Sequence, residues 1–432
     1  MTKSHLNNSV TAIRQSILRQ LLLLVMILLL TACSGGGGSS GGVQQSAPVI
    51  ASFTAAPTVI SAGQGSQLAW GVTGATSLSI NGTAVSGSSM NVSPTTTTSY
   101  TLTATNSTGS SQATVTVTVG TAATITYGNL NGADLGAGAN LNGALPFPAD
   151  NAWNQDISSD PVDPNSAAII ASIGLTTGLH PDFGAGLYNG APIGIPYLVV
   201  AGSQPKVPIV YTAYGDESDP GPYPVPPDAP IEGQQADGSA FGGDRHVLVI
   251  DRDANRLYEL YNAYPQPDKS WQAGSGALFH LDSDIVRPGG QPGWTSADAA
   301  GLPIFPGLAR YEEAASGVIL HALRFTVSAT REAYVPPATH WASSNTSADL
   351  PPMGMRVRLK ASYAIPTSFS TESRAILQAL KTYGMFVADN GSNWYISGAP
   401  DPRWDNYTLV SELGSVSGEN FEVVQMSGMV TP

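Results

Sequence analysis

Cysteine is nearly missing: Cys33 is the only one in 432 residues. The body of the chain therefore has no internal disulfide, no cysteine-based zinc site and no thiol nucleophile, and must be stabilised by its core alone. Charge is also scarce, at 11% of residues, and acidic in balance, with 31 Asp and Glu against 18 Lys and Arg. No basic face of useful size is left to neutralise a run of phosphates, which argues against a nucleic-acid partner. Also missing are a Gly-x-Ser-x-Gly elbow, a His-Glu-x-x-His pair, a phosphate loop and a dinucleotide fingerprint. Their absence leaves esterase, zinc protease of that type, kinase and dehydrogenase chemistry with little support. No metal and no cofactor is expected.

Glycine and proline are plentiful, at 47 and 32 residues. Together with abundant Thr, Val, Tyr and Ser they point to many short strands joined by tight turns. At the N-terminus, Arg14 and Arg19 precede an unbroken apolar run from Leu21 to Leu30, followed by Leu30-Thr31-Ala32-Cys33-Ser34. These are the charged, apolar and small-residue parts of a signal peptide in order. Ten apolar residues are too few to cross a bilayer core of about 30 Å as a helix. The sequence Leu-Thr-Ala-Cys resembles the lipobox of bacterial lipoproteins. That resemblance implies cleavage before Cys33, a lipid on its thiol, and the lipid bilayer as a partner. Ser34, in place of an acidic residue, implies delivery to the outer membrane, on its periplasmic or cell-surface face.

Composition then divides the chain. Residues 1–32 read as the signal peptide and 33–46 as a Gly/Ser tether. From Ser34 to Ala133 there is no Asp, Glu, Lys or Arg. Within that stretch, residues 47–119 alternate with period two, as in Gln67–Val72, Ser77–Ile80, Ser99–Ala104 and Ala113–Val119, with an Asn81-Gly82 turn. The single Trp70 in mid-strand and the run "SPTTTTSYTLTATNSTG" resemble immunoglobulin-like modules of bacterial surface proteins, which implies a small sandwich acting as a spacer. Residues 120–144 carry the near repeat Asn129–Ala133 and Asn140–Ala144, too short for a solenoid, and read as a linker. Residues 145–427 hold five of six histidines and six of seven tryptophans, and are long enough for one large β domain, followed by a tail at 428–432. Helices are expected only at 164–173, stopped by Gly174, and at 371–383, closed by Gly384. The fold class is thus all-β: an immunoglobulin-like sandwich and then a large β-sandwich of jelly-roll type with one or two short helices.

Chemistry concentrates in the third region. In "DRHVLVIDRDANRLYELYNAY", residues 244–264, a hairpin with a two- or four-residue loop sets Leu248 opposite Glu259. His246 and Glu259 then lie diagonally on one face, ~7 to 8 Å apart at Cβ. An imidazole beside a carboxylate suits a general acid/base pair; a solvated hairpin face is the alternative. The segment Asp251 to Glu259 lacks the glycine and the spacing of a calcium loop. Residues 270–307 read as one long Gly/Pro-punctuated loop with His280, Trp294 and Asp298, a composition suited to sugar rings. In "GVILHALRFTV", His321 shares an apolar face with Leu323 and Phe325 while Arg324 faces the other way. Arg356, Arg358 and Lys360 alternate along one strand, either to hold an anion or as a solvated face. Residues 388–406 bundle Asp389, Trp394 and Trp404.

The third region, through "DRHVLVID", "GWTSADAAGLP", "PPMGMRVRLKAS" and "YGMFVADNGSNWYISGAPDPRWD", resembles a family of secreted proteins of uncharacterised chemistry, and the resemblance implies no activity. The residues themselves suit a surface lipoprotein acting on extracellular carbohydrate, as a glycoside hydrolase or polysaccharide lyase. In that scheme Glu259 or Asp298 is the acid, His246 or His321 the base or clamp, and Arg245 or Arg324 orients a carboxylate. His280, Trp294, Trp394 and Trp404 contact the polysaccharide. A non-catalytic glycan-binding or adhesion protein using the same tryptophans is the rival.

Overall fold

The computed structural model describes residues 46–432 apart from 57, 62–64, 121–124, 236–242, 286 and 288–292. Cys33, the expected signal peptide and nearly all of the expected tether lie outside the described residues. The protein is all-β in class, with 33% of residues in strands, 12% in helices and four short helices.

Contacts divide the chain into two compact units. In the smaller, Ser77–Ile80 pairs antiparallel with Thr98–Asn106 and turns through Asn81 and Gly82, both at positive φ, into Thr83–Ala84. This is the geometry an Asn-Gly hairpin demands. Trp70 is buried on its strand, packs edge-on to Phe53 at 6.4 Å and donates its indole N–H to the Gly87 carbonyl.

The larger unit contains Val115–Pro432. One sheet of five strands runs in the order Gly136–Ala137, Tyr197–Val200, Val247–Asp251, Arg256–Tyr261, Ser275–His280. A second, of six strands, runs His180–Asp182, Tyr395–Ser397, Leu323–Val327, Met385–Asn390, Arg356–Leu359, Phe421–Val423. Leu248, Ile250, Leu257 and Phe279 from the first share one core with Phe325, Val357, Val387 and Ile396 from the second. The opposite face of the five-stranded sheet, with Val247, Val249, Tyr258 and Leu260, packs on Tyr223, Val225, Ile231 and Trp271. Burial on both faces explains why "VLVI" is continuously apolar, since neither face needs polar residues.

Both expected helices form, at Ser166–Ile173 and Thr371–Thr382. The second is capped by Ser370, whose hydroxyl accepts from the Ser373 N–H, and buries Ile376, Leu377 and Leu380. Gly384 follows at φ +68, where an added Cβ would meet the Val357 carbonyl oxygen at 2.3 Å; only glycine fits this close strand approach. Two further helices, Tyr311–Ser316 and Asn406–Gly414, escape the sequence pattern.

Three expectations change here. The near repeat is no free linker, because Leu130, Ala133, Leu141 and Ala144 are buried in the main core. The stretch 270–307 is not one loop, since Trp271–Ala273 and Ser275–His280 are strands. The three-cation strand is not a solvated face: Arg356 and Arg358 are buried. Arg356 bonds the carbonyls of Tyr383 and Gln155, and Arg358 pairs with Glu422 and bonds the Ile157 carbonyl.

Candidate functional site

The hairpin takes the expected register, Leu248 opposite Glu259 and Asp251 opposite Arg256 around a four-residue loop. His246, one residue before its strand, lies 6.0 Å from Tyr261 between ring centroids, and Glu259 occupies the same face. That face points inward. His246 is 3% exposed and Glu259 fully buried, so the solvated-face alternative is ruled out.

Glu259 is held by the backbone. Its two oxygens accept from the Ile304 N–H at 2.9 and 3.0 Å, and one accepts from the Phe305 N–H at 2.9 Å. Burial, aided by the charge of Asp298, pushes its pKa up to about 7 against those hydrogen bonds. The carboxyl caps the turn Phe305–Gly307 and anchors the loop that precedes it; it does not open onto a cleft.

His246 is engaged at both nitrogens, Nδ1 at 2.6 Å from Glu232 Oε2 and Nε2 at 2.9 Å from the Ala297 carbonyl. Burial disfavours the charged ring, but Glu232 outweighs it and the pKa rises to about 9. At neutral pH both N–H groups donate, so the ring has no lone pair with which to take a proton. His246 is therefore a clamp and not a base. Its partner Glu232 is partly open, with 23% of its side chain exposed. Burial opposes its charge, yet His246 prevails and holds the carboxyl below the usual range.

Asp298 and Arg324 form a buried bidentate pair, Nη2 to Oδ1 at 2.9 Å and Nε to Oδ2 at 3.2 Å. Arg324 also donates to the Ser397 hydroxyl at 2.6 Å. Burial raises the Asp298 pKa and Arg324 opposes the rise. With these contacts made, Asp298 is not free to act as an acid, nor Arg324 to receive a substrate carboxylate.

Around this buried seam stands a partly open rim. Asp389, near the end of the strand Met385–Asn390, accepts from the Asn390 N–H at 2.7 Å. Burial, and then the charge of Asp298, pushes it up to about 7, with Arg324 opposing. Exposed Asp244 adds to that rise, and Tyr261 feels both Asp244 and Asp389. Asp182 is pushed up by burial and by Glu232, with His180 opposing. The His180 ring lies 4.2 Å from that of Tyr395, one strand over. Four carboxyls and Tyr261 thus share electrostatic surroundings with Arg324 and His246, and the His180–Tyr395 ring pair adjoins Asp182.

The remaining candidates are elsewhere. His321 belongs to a second buried cluster, with Nδ1 at 2.8 Å from the Ala322 carbonyl and Nε2 at 3.1 Å from Glu313. Burial opposes the Glu313 charge, but Arg310 and His321 outweigh it and take that carboxyl down to about 2. The cluster fastens the helix Tyr311–Ser316. His280 lies beside Arg256 and Asp282 at the far end of its strand. Arg245 donates to the Ala263 carbonyl and covers the Tyr264 ring. Trp294 is half-buried against Arg287. Trp394, fully buried between Phe325 and Phe421, and Trp404, packed on Phe183 and Tyr311, are core residues and offer no face to a sugar.

Sequence reasoning did not single out Glu232, Asp182 or Asp244: Glu232 stands in a turn-rich segment, Asp182 ends a three-residue strand too short to show a period, and Asp244 lies just ahead of the alternating strand Val247–Asp251. Asp389 carried one signal, a carboxylate ending the apolar run "GMFVA". Comparison with family models, with curated proteins and with solved structures returns no match to this chain.

Proposed function

We propose that the chain is a surface-tethered lipoprotein whose region 145–427 hydrolyses glycosidic bonds, with Asp389 as general acid and Glu232 as the ionised partner. The supporting observation is that two carboxyls near one buried guanidinium, Arg324, are driven to opposite protonation states while each keeps access to solvent. Asp389 retains its proton near neutrality, and Glu232, clamped by His246, remains charged. A pair of acids with pKa values pushed apart is what protonation of a leaving oxygen and stabilisation of an oxocarbenium-like centre require. Tyr261 and the His180–Tyr395 pair add ring surface for a sugar. A lyase acting on a uronate needs its substrate carboxylate neutralised, and Arg324 and Arg245 are already committed, which favours hydrolysis. The immunoglobulin-like spacer and the Cys33 anchor complete the proposal.

The experiment is a reducing-sugar screen on a polysaccharide panel with the wild type, Asp389→Asn and Glu232→Gln. Both variants should lose ~10²- to 10⁴-fold in turnover; Asp389→Asn should unfold at the wild-type temperature, and Glu232→Gln at a lower one because it removes the carboxylate paired with buried His246. The profile of kcat/KM should fall as pH rises through about 7 in the wild type, where Asp389 loses its proton. It should fall again in acid, where Glu232 gains one. Turnover unchanged in both variants ends the proposal. Retention of the protein in polysaccharide gels without turnover supports a binding role instead.

A further inference from the structure

A cavity of about 570 Å³ opens where three parts of the larger unit meet: the start of the helix Ser166–Ile173, the segment around Arg331 and Asp349, and the C-terminal stretch 426–429. It shares no residue with the rim of Asp182, Glu232 and Asp389. Its volume is in the range of small-molecule sites. The walls are tied to one another. Asp163 spans two of them, its Oδ1 accepting the Asn165 N–H at 2.8 Å and its Oδ2 the Met426 N–H at 3.2 Å. Asn165 in turn donates its side-chain amide to the Ala348 carbonyl at 2.8 Å. Just beyond the cavity the tail is pinned by two backbone bonds between Tyr334 and Val430, at 3.1 and 2.9 Å. Struts of this kind fix the wall before a ligand arrives, which lowers the entropic cost of binding.

Two charged groups of the wall take no part in this bracing. Among the described residues no hydrogen bond or ion pair reaches the Arg331 guanidinium, and its Nε is shut off from solvent without a partner. The carboxylate of exposed Asp349 is likewise unpaired; only its backbone N–H is bonded, to the Ser347 hydroxyl at 3.4 Å. Opposite charges thus line one cavity without touching.

A buried donor with no acceptor is unfavourable, and a guanidinium is a planar fork that matches a carboxylate through two parallel bonds. The wall sets two carboxylates, Asp163 and Asp349, against this one cation, which disfavours a multiply charged anion such as phosphate. A ligand with one carboxylate and one ammonium satisfies both free groups at once. Ile169, Met426 and Met429 supply apolar wall, and thioether side chains adapt to aliphatic groups of varied shape.

We propose that this cavity binds a small zwitterion with an aliphatic side chain, Arg331 holding its carboxylate and Asp349 its ammonium. Free aliphatic amino acids and short peptides share that chemistry. The site is independent of the hydrolase reading, since it uses none of those residues and its test needs no turnover.

The test is isothermal titration of the full chain with leucine, methionine, the dipeptide Leu-Leu, the N-acetyl and amide forms of each, and inorganic phosphate, at up to about 10 mM. At least one of the three zwitterions should bind. Tighter binding of a free amino acid than of Leu-Leu identifies a single residue as the ligand, and the reverse order a peptide. Blocking the ammonium by acetylation, or the carboxylate as the amide, should weaken binding about tenfold or more. Arg331→Met should weaken it as much while unfolding no lower than the wild type, because it removes an unpaired donor. Asp349→Asn changes an exposed side chain and should keep the wild-type unfolding temperature. It should lose affinity for the free ammonium form and keep that for the acetylated one. No binding of any zwitterion, equal affinity for the blocked forms, affinity unchanged in both variants, or phosphate bound in preference overturns the site.

Discussion

Glu259 carries the conflict between burial and charge in its simplest form. Its carboxyl replaces water for the backbone N–H groups of Ile304 and Phe305, yet burial raises its pKa to about 7 from the ordinary 4.5. A folded pKa above the unfolded one contributes stability that is complete below about pH 4.5 and is lost as pH rises through about 7. The loss is on the order of 3 kcal/mol, from ~1.4 kcal/mol per pKa unit. Glu259→Gln keeps Oε1, which accepts from both N–H groups, and removes the titration. Urea unfolding between pH 4.5 and 8 should show the wild type losing about 3 kcal/mol more than this variant, whose remaining slope comes from His246 and Asp389. Glu259→Ala should cost about 2 to 4 kcal/mol at pH 4.5, because it orphans two buried donors and leaves a cavity, and less as pH rises through about 7. Parallel pH profiles for wild type and Gln variant contradict this account. His246 and His321 teach a related point. Their alternating positions were legible in the sequence, but whether an imidazole is a base or a clamp depends on both of its ring partners. Glu232 and Ala297 reach His246 from 14 and 51 residues away.

Among the elements, those set by local rules were legible. The hairpin register followed from a turn and two alternating strands, and the helix Thr371–Thr382 from an apolar stripe between Ser370 and Gly384. The near repeat was misread because its two apolar residues per copy look too few to bury. In the fold, Asn129 and Asn140 each accept the N–H two residues on, at 3.1 and 2.8 Å. The resulting turns press Leu130, fully buried, and Leu141, 5% exposed, into a core made by other elements. Leu130→Ala and Leu141→Ala should each destabilise by about 2 to 5 kcal/mol in denaturant unfolding, where a free linker would show no change. The strand with Arg356, Arg358 and Lys360 failed for a similar reason. Its alternation was seen, but the carbonyls and the Glu422 carboxylate that receive its cations come from distant segments.

For the whole molecule, the proposed location rests on the N-terminus and the proposed chemistry on the large unit. No helix among the described residues is long and apolar enough to cross a membrane, and the proposed attachment is a lipid on Cys33. Cys33→Ser should move the protein from the detergent-rich to the aqueous phase on Triton X-114 partition and abolish labelling by radioactive palmitate. Labelling that persists in the variant removes the anchor.

The order and composition of residues by themselves determined the all-β class, the hairpin register and the two principal helices. These follow from short-range periodicity and turn chemistry, each readable within a few neighbouring residues. Only the tertiary structure decided which ionisable groups are spent and which stay open. Burial and pairing of Asp298, Arg324 and His246 against the partial exposure of Glu232 and Asp389 depend on two sheets meeting across segments far apart in the chain.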